Sequence, residues 1–569
     1  MHDLVIRGGT LVDGTGQPAY QGDLAIDGGR VTQAGGRAGT ARRELDANGA
    51  LVVPGWIDIH THYDGQATWD PYLSPSTWHG VTTAVMGNCG VGFAPVRPAD
   101  RSWLIKVMEG VEDIPGSVLS EGIEWDWETF PEYLDALDRR PKALDIGAQI
   151  PHAALRAYVM GERGIHHDEA TPQDLDQMCR LMREGMAAGA LGFSTSRTFL
   201  HKYDERKYPP GTFASGDEIM SLGRVLGEAG HGVFQMTANH VSMGNELPWL
   251  ERLARHNKLP VLFNLQQTDP APDLWRDLLA ALDQAHAGGV PLYGGISGRP
   301  LGLLFSWQSS LHPFIACPAF QELAGLSFEA RVTRLRDPAV RERVLTEPRA
   351  RMDKGLEAMF GHFERIFPLG GTPDYEPPPE TSVAAIAARC GQTPLAAIYD
   401  LMLEQDGRAI LYYPSFNYSY GSLTHLHEML QHPATVNSLS DGGAHCGYIC
   451  DVSMPTFMLT HWARERTRGP RLPLEALVKR QTADTARLYG LSDRGTLQPG
   501  MKADINVIDY DGLKLHAPRM AFDLPAGGRR LVQEADGYLA TLVAGVPIFE
   551  NKQATGALPG KLLRGKAAA

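Results

Sequence analysis

The sequence predicts an α/β protein: a (β/α)8 barrel with a helical insertion, joined to a small β-sandwich built from both chain ends. The 569 residues suffice for a barrel-sized core and a smaller unit. The middle of the chain alternates strand-sized apolar runs with helix-sized amphipathic ones. Its two ends carry short apolar runs separated by glycine turns, the pattern of β-hairpins.

The two chain ends share one pattern. Short apolar runs separated by glycine pairs fill residues 1–53, and runs of the same kind return at 503–509 and 538–545. Glycine pairs between such runs indicate hairpin turns. Because each end is too short to close a core alone, we expect residues 1–53 and 491–569 to form one composite β-sandwich domain, with the barrel domain at 54–490.

Eight strand-sized apolar runs follow one another in the middle of the chain. They are residues 55–60, 81–86, 143–148, 190–194, 233–236, 261–264, 292–296 and 435–440. Amphipathic helical patterns lie between them, for example at 175–188 and 273–285. Eight strands alternating with helices are typical of a (β/α)8 barrel.

The stretch from about 300 to 430 is too long for one crossover and predicts an insertion that covers the active face. Residues 328–363, rich in Arg and Glu, have a helical pattern, and a Pro-rich linker follows at 373–379. Residues 409–413 predict an extra strand beside the eighth.

Composition narrows the functional class. The net charge of -13 argues against a nucleic-acid partner, because phosphate binding needs a basic surface. No apolar stretch approaches the ~20 residues of a membrane span, and the N-terminus lacks a signal-peptide pattern. The six cysteines are scattered, which favours a reducing cytoplasm. We therefore expect a cytoplasmic protein that acts on a small molecule and could form a homo-oligomer.

The first middle strand ends in two histidines, His60 and His62. Side chains alternate across a strand, so this spacing places both imidazoles on one face. Two neutral imidazoles converging at a strand end form a chelating pair for a metal such as zinc.

Other ligand types occupy the ends of two further strands. Strand 2 ends in Gly87-Asn88-Cys89-Gly90, and strand 8 ends in Ser440-Asp441-Gly442-Gly443 with His445 close behind. Active residues of barrels sit at the carboxyl ends of strands. A thiolate, two imidazoles and a carboxylate from three strand ends therefore predict a metal set of His60, His62, Cys89 and Asp441.

These motifs resemble the amidohydrolase superfamily over essentially the whole chain. The run from Pro54 to His62 is similar to its strand-1 motif, and Gly-Asn-Cys-Gly points to the D-aminoacylase (N-acyl-D-amino-acid deacylase) branch, where a cysteine replaces the carbamylated-lysine bridge. The resemblance implies a zinc-dependent hydrolase that cleaves a linear amide C–N bond, in an N-acyl amino acid or similar N-acyl compound.

The sequence departs from the family pattern at strands 5 and 6, where the resemblance implies metal-binding histidines. His240 lies several residues beyond the expected place after strand 5, and strand 6 ends in Asn264-Leu265-Gln266-Gln267-Thr268, with no histidine. The second metal position therefore looks dismantled, and we expect one zinc per chain.

Catalytic and substrate-binding roles follow from position. Asp441, beside the metal, would take a proton from water and deliver it to the leaving nitrogen, and His445 or His152 would stabilise the oxyanion. Arg197 and Arg299 follow strands 4 and 7, where a guanidinium could bind a substrate carboxylate. His152 follows strand 3 and could equally be a buried structural histidine. Two aromatic stretches, Phe305–Trp307 and Tyr412–Tyr418, could line an apolar acyl pocket.

Two alternatives stay open at this point. The superfamily reuses this site, so a cyclic amide, imide or carbamate hydrolase is possible. Dihydropyrimidinase-like proteins of the superfamily act as scaffolds after losing metal ligands, although the retained His60, His62 and Asp441 argue against such a loss here.

Overall fold

The computed structural model describes residues 1–204, 207–348, 354–438 and 440–566. The chain is an α/β protein in which sheets and helices are mixed along the sequence. Among the described residues, no helix combines the length and apolar character needed to cross a bilayer.

One nine-stranded sheet combines strands from both chain ends. Strand Leu51–Pro54 lies at its centre, antiparallel to Ile505–Ile508 and parallel to His2–Leu11. The other strands are Tyr20–Asp27, Arg30–Ala34, Ala41–Asp46, Tyr538–Val543, Val546–Glu550 and Gln553–Ala554. Two small sheets, Lys514–Leu515 with Ala535–Asp536 and Arg519–Leu524 with Gly528–Val532, complete the C-terminal strands. The division into domains near residues 53 and 491 stays a prediction.

Parallel strands form the middle of the chain. A three-stranded sheet contains Trp56–Asp58, Val81–Met86 and Asp145–Ala148. A six-stranded sheet contains Ile150–Pro151, Gly192–Ser196, Val233–Thr237, Val261–Asn264, Leu292–Ile296 and Thr435–Asn437. Leu439, within the predicted eighth strand, lies outside the described residues.

The last parallel strand returns to the first. Thr61 forms a parallel bridge with Gly442, and the amide of His62 donates to the carbonyl of Gly442 at 2.7 Å. The residues that follow the first and last strands are therefore hydrogen-bonded neighbours, which brings the metal-ligand candidates of both ends together.

Helices connect these strands, with ends set by local sequence. Helix Pro172–Ala188 begins with a capping box, in which Thr171 and Asp174 satisfy each other's backbone amides, and ends at Gly189 in a left-handed conformation. The other helices before the insertion are Arg101–Glu112, Gly116–Gly122, Phe130–Arg139, His152–Met160, Glu162–Ile165, Gly216–Ala229, Leu247–Asn257 and Leu274–Ala287. Those after it are Thr424–Gln431, Met454–Phe457, the π-helix Met458–Glu465, Leu474–Gln481 and Ala483–Leu488.

The inserted region has helices and a hydrophobic core of its own. Its helices are Pro318–Gln321, Phe328–Leu335, Pro338–Thr346, Lys354–Gly361, Val383–Cys390, Pro394–Met402 and Glu404–Gly407. Residues 349–353 of the predicted helical stretch lie outside the described residues. The predicted extra strand forms at Leu411–Pro414, but its expected position beside the eighth strand is wrong. It pairs antiparallel with Gly302–Phe305 and Phe367–Pro368, because its apolar side chains pack into the core of the inserted helices.

A segment near the C-terminus leaves the nine-stranded sheet and lies beside the strand Asp145–Ala148. Leu562 forms a parallel bridge with Ile146, and the amide of Ile146 donates to the carbonyl of Lys561 at 3.0 Å. This contact has no local sequence signal, because the segment is short and its partner lies over 400 residues earlier in the chain.

Candidate metal centre

Three of the four predicted metal ligands converge on one buried point. His60, His62 and Cys89 are 0%, 1% and 5% exposed, and one ligand atom from each lies within 4.8 Å of the others. The Nε2 atom of His60 is 3.2 Å from the Cys89 Sγ atom. The imidazole rings of the two histidines meet edge to face, with centroids 5.5 Å apart.

The fourth predicted ligand, Asp441, faces the same point. Its Oδ1 atom lies 3.4 Å from Nε2 of His60 and 3.8 Å from Nε2 of His62. The carboxylate therefore approaches the same ring nitrogen on both histidines, as expected if those nitrogens share one cation.

Local backbone geometry aims these side chains at the centre. Cys89, Asp441 and His445 all have left-handed backbones, with φ of 56°, 46° and 49°. Such values are uncommon outside glycine and persist only where the surroundings hold them. At Cys89, the amide donates to Gln235 Oε1 at 3.2 Å, and the Thr237 hydroxyl donates to the thiol sulfur at 3.1 Å.

Burial controls the charges at the centre. Burial, helped by the nearby carboxyls of Asp451 and Asp58, raises the pKa of Asp441 to about 8. Burial likewise lowers the pKa of His60 to about 3 and raises the pKa of the Cys89 thiol well above its usual value. A bound cation would favour the ionised carboxylate and thiolate, because opposite charge counteracts the desolvation penalty.

The residues present fit a zinc ion. A thiolate, imidazoles and a carboxylate are the ligand types that zinc takes in proteins. The Nδ1 atoms of His60 and His62 are buried and make no hydrogen bond within the described structure. Their Nε2 atoms are the ones that face Cys89 and Asp441.

A fifth charged side chain, which sequence reasoning missed, lies behind this set. Glu112 ends the helix Arg101–Glu112 and is 1% exposed. Its Oε1 atom is 3.4 Å from Nδ1 of His62, and its Oε2 atom is 3.5 Å from Nε2 of His445. Burial raises the pKa of this carboxyl well above its usual value. The one local signal is that Glu112 lies four residues after Met108, on the apolar stripe of the helix.

Neither of the two strand ends at which the sequence analysis looked for a second metal carries a histidine within the described strands. Thr237 ends the fifth middle strand, and Gln266 lies two residues beyond the sixth. His240 lines the neighbouring cavity with its ring against Phe416, centroid to centroid 5.1 Å, and burial lowers its pKa to about 4. His201, which the sequence analysis did not single out, lines the same cavity.

A cavity of about 850 Å³ opens onto His60, Cys89 and Asp441. Most of its lining is apolar and comes from several loops and from the insertion. Apolar lining residues include Leu200, Val241, Leu303, Leu311, Met359 and Phe416. Of the two aromatic stretches predicted to line such a pocket, Tyr412–Tyr418 contributes Tyr413 and Phe416, whereas Phe305–Trp307 packs in the core of the insertion.

The two predicted arginine anchors are engaged elsewhere. Arg299 is fully buried, donates to Ser453 Oγ at 2.9 Å and to Asp451 Oδ1 at 3.0 Å, and stacks over the ring of Tyr375. Arg197 donates from Nη1 to the carbonyl oxygens of Thr212 and Ala214, at 3.1 and 2.7 Å. Both guanidinium groups are thus committed to protein partners.

His152 is buried within a hydrogen-bonded network behind strand Gly192–Ser196. Its Nδ1 atom is 2.9 Å from the Thr195 hydroxyl, and its Nε2 atom is 2.9 Å from Glu218 Oε1. The same Glu218 oxygen accepts a hydrogen bond from Arg156. Both ring nitrogens of His152 are therefore occupied in the folded protein.

Together, the parallel-strand fold and the converging donor set define a metal-binding α/β enzyme. The chain belongs to the amidohydrolase family, whose model matches residues 43–549. It is accordingly a hydrolase of carbon–nitrogen bonds.

Relatives confirm the predicted D-aminoacylase-like branch. A D-aminoacylase of Alcaligenes xylosoxydans xylosoxydans is 27% identical over 100% of this chain and 98% of the relative. An N-acyl-D-aspartate deacylase of the same organism is 28% identical over 99% of this chain and 95% of the relative.

Solved structures show the same likeness. A D-aminoacylase, studied for the role of its binuclear metal centre with one-metal activation and second-metal attenuation, has a TM-score of 0.66 and 25% identity, covering 99% of this chain and 100% of that one. An N-acyl-D-glutamate deacylase from Bordetella bronchiseptica, complexed with zinc and a phosphonate mimic of the tetrahedral intermediate, has a TM-score of 0.65, 25% identity and the same coverage.

Proposed function

We propose that this protein is a zinc-dependent deacylase that hydrolyses the linear amide bond of an N-acyl amino acid or a similar N-acyl compound. The observation that carries the proposal is the convergence of His60, His62, Cys89 and Asp441 beside one large cavity, which three of them line. The D-aminoacylase and N-acyl-D-glutamate deacylase structures, similar over nearly the whole chain, support the substrate class.

The proposal includes closure of the middle strands into one (β/α)8 barrel. The parallel bridge between Thr61 and Gly442, which joins the last strand to the first, supports this closure. In such a barrel the catalytic residues come from the carboxyl ends of several strands. That geometry would account for ligands as distant in sequence as His60 and Asp441.

The chemistry assigns separate roles to the metal and to the chain. When bound, zinc supplies hydroxide at neutral pH by lowering the pKa of its water from 15.7 to about 7. Asp441 is the general base that accepts the proton of the attacking water and then delivers it to the leaving nitrogen. His445, four residues further on, is the donor proposed for the developing oxyanion.

One zinc per chain is the proposed stoichiometry. Thr237 and Gln266 lie at or just beyond the ends of the strands where the resemblance implies histidines, and a hydroxyl or amide is a weaker zinc ligand than imidazole. One-metal activation has been described for a D-aminoacylase similar to this chain.

The cavity favours an apolar group on the substrate. In the described part of its lining, no arginine or lysine side chain is present, whereas leucine, methionine and aromatic side chains are frequent. An apolar lining rewards burial of an apolar acyl chain or amino-acid side chain by about 25 cal/mol per Å². We therefore expect N-acyl derivatives of apolar amino acids to be better substrates than those of aspartate or glutamate.

The alternative of a cyclic-amide hydrolase is supported by similarity over a much shorter part of the chain. A D-hydantoinase of Ralstonia pickettii is 45% identical to this chain, but only over 11% of it. The scaffold alternative would require a chain that does not bind metal, which the buried donor set makes the less favoured interpretation.

The test combines metal content with hydrolysis. We expect purified protein to hold one zinc per chain, and His60→Ala to lose it while exposed His256→Ala retains it. Asp441→Asn is expected to lower kcat by about 10³-fold, in the range of a lost general base, with exposed Asp176→Asn as the matched control. Release of free amine from N-acetyl-D- and L-amino acids measures the activity.

Each other outcome contradicts a distinct part of the proposal. Two zinc ions per chain would contradict the single site and make His240 the first candidate for a further ligand. Zinc without amine release would move the reaction to cyclic amides or carbamates. Protein purified without zinc, and unable to bind it, would leave the scaffold interpretation.

A further inference from the structure

No hydrogen bond to a described residue accounts for the burial of the Glu112 carboxyl. It is 1% exposed, and neither carboxylate oxygen makes a hydrogen bond to a described residue. An unsatisfied buried carboxylate costs folding free energy. A residue kept in such a place for stability alone would be apolar.

The two oxygens of this carboxylate instead lie against two histidines of the centre. Oε1 is 3.4 Å from Nδ1 of His62, which is itself buried without a hydrogen bond, and Oε2 is 3.5 Å from Nε2 of His445. Small side-chain rotations would bring both pairs within hydrogen-bonding distance.

We propose that Glu112 is a positioning residue that holds His62 in the tautomer with a proton on Nδ1, leaving Nε2 free to bind the metal. This inference rests on the proposed metal site. It assigns to Glu112 the role of the carboxylate that commonly orients a metal-binding histidine through its other ring nitrogen.

The backbone around Glu112 supports the same role. The amide of His445 donates to the Glu112 carbonyl, and the amide of Gly447 donates to Asp113 Oδ2 at 2.8 Å. Asp113 also accepts a hydrogen bond from the Ser310 hydroxyl at 2.7 Å. The end of helix Arg101–Glu112 therefore fixes the loop that carries Asp441 and His445 as well as facing their side chains.

Close packing leaves this loop little freedom to move away from the helix end. A Cβ atom placed on Gly447 would lie 2.2 Å from Ser310 Oγ and 2.6 Å from Asp113 Oδ2. The position of this loop against the helix end is thus set by close contacts with Asp113 and Ser310.

Zinc affinity of Glu112→Gln, measured by competition with a chromogenic chelator, tests the inference without reference to turnover. We expect a 10- to 100-fold weaker affinity, the usual cost of losing the carboxylate behind a metal-bound histidine. Exposed Glu121→Gln is the matched control and should bind zinc as wild type does. Glu112→Asp, which keeps the charge on a shorter side chain, should recover part of the affinity.

Three further readouts separate positioning from a merely structural role. Removal of an unsatisfied buried carboxylate should leave the melting temperature of the metal-free protein unchanged or higher, whereas loss of a structural residue would lower it. In ¹⁵N NMR of the histidine side chains, wild type should show His62 protonated on Nδ1 and Glu112→Gln should show a mixture of tautomers. Co²⁺ substitution should give an altered absorption spectrum in Glu112→Gln.

The inference and the proposed function fail in different ways. Zinc affinity of Glu112→Gln within twofold of wild type, with an unchanged Co²⁺ spectrum, would overturn the role of Glu112 and leave the zinc site intact. Absence of zinc binding by wild type itself would overturn the proposed function.

Discussion

Among single residues, Arg299 is a buried cation whose guanidinium is engaged by protein groups. It follows strand Leu292–Ile296, yet its guanidinium bonds to Asp451 and Ser453 and stacks over Tyr375 at 3.9 Å. Asp451, in turn, lines the cavity and keeps one oxygen without a hydrogen bond. Arg299 therefore acts on the cavity through the charge of Asp451.

The buried pair predicts a stability cost rather than a binding defect. Arg299→Met should lower the free energy of unfolding by about 3–5 kcal/mol, because it leaves the Asp451 carboxylate buried without its cation. Urea unfolding measures the loss, with exposed Arg276→Met as the control. Unchanged stability combined with a raised KM would show instead that Arg299 anchors the substrate.

Single residues also show where sequence analysis stops. His60, His62, Cys89 and Asp441 could be identified because each ends a strand or sits in a short motif. Glu112 could not, because its importance comes from contacts with His62 and His445, which lie 50 residues before and over 300 residues after it in the chain.

At the scale of elements, periodicity predicted the parallel strands closely and misplaced the extra strand. Val261–Asn264 and Leu292–Ile296 form within the predicted bounds. Strands of a parallel sheet are buried on both faces, so a short continuous apolar run marks them directly. Leu411–Pro414 forms too, but its sheet partners are set by the insertion's core, which no local pattern reveals.

One buried carboxylate contributes strongly to the attachment of the Pro-rich linker to the rest of the molecule. Glu376 accepts hydrogen bonds from Arg466 at 3.0 and 3.1 Å and lies 3.1 Å from His461 Nε2. Burial alone would raise its pKa, but the hydrogen bonds from His461, Arg466 and the Leu423 amide lower the pKa of Glu376 to about 2. The linker is thereby fixed against helix Met458–Glu465.

This attachment predicts a defined loss of stability in acid. Because the folded-state pKa lies below the usual 4.5, the contribution of Glu376 is complete above pH 4.5 and is lost as the pH falls towards 2. The difference in unfolding free energy between wild type and Glu376→Gln should therefore be largest at neutral pH and shrink on acidification. Urea unfolding at several pH values measures it; a difference independent of pH would contradict the assignment.

At the scale of the whole molecule, a buried ion cluster joins the nine-stranded sheet region to the parallel strands. Arg494 donates to Asp145 Oδ2 at 2.6 Å and to the Thr83 hydroxyl at 3.0 Å. Lys502 donates to the same Asp145 oxygen at 2.9 Å and to Asp504 Oδ1 at 2.7 Å. Two cations and two carboxylates thus share one interior site between the two parts of the fold.

Loss of one cation from this cluster should destabilise the whole protein. Arg494→Leu leaves the two carboxylates with Lys502 alone, so we expect a loss of about 3–5 kcal/mol in unfolding free energy. Thermal or urea unfolding measures it, and exposed Arg487→Leu is the control. A loss no larger than that of the control would mean that the cluster contributes little to the joining of the two parts.

The pairing of early with late segments also sets an order of events during synthesis. Strand Leu51–Pro54 pairs with Ile505–Ile508, and Ile146 pairs with Leu562. At 5–20 residues per second, roughly 20 to 90 seconds separate translation of the first partners from the second. Through that interval the nascent chain presents unpaired strand edges, which invite association with other chains. The histidines proposed as metal ligands lie near its start and therefore emerge from the ribosome long before the strands that complete their scaffold.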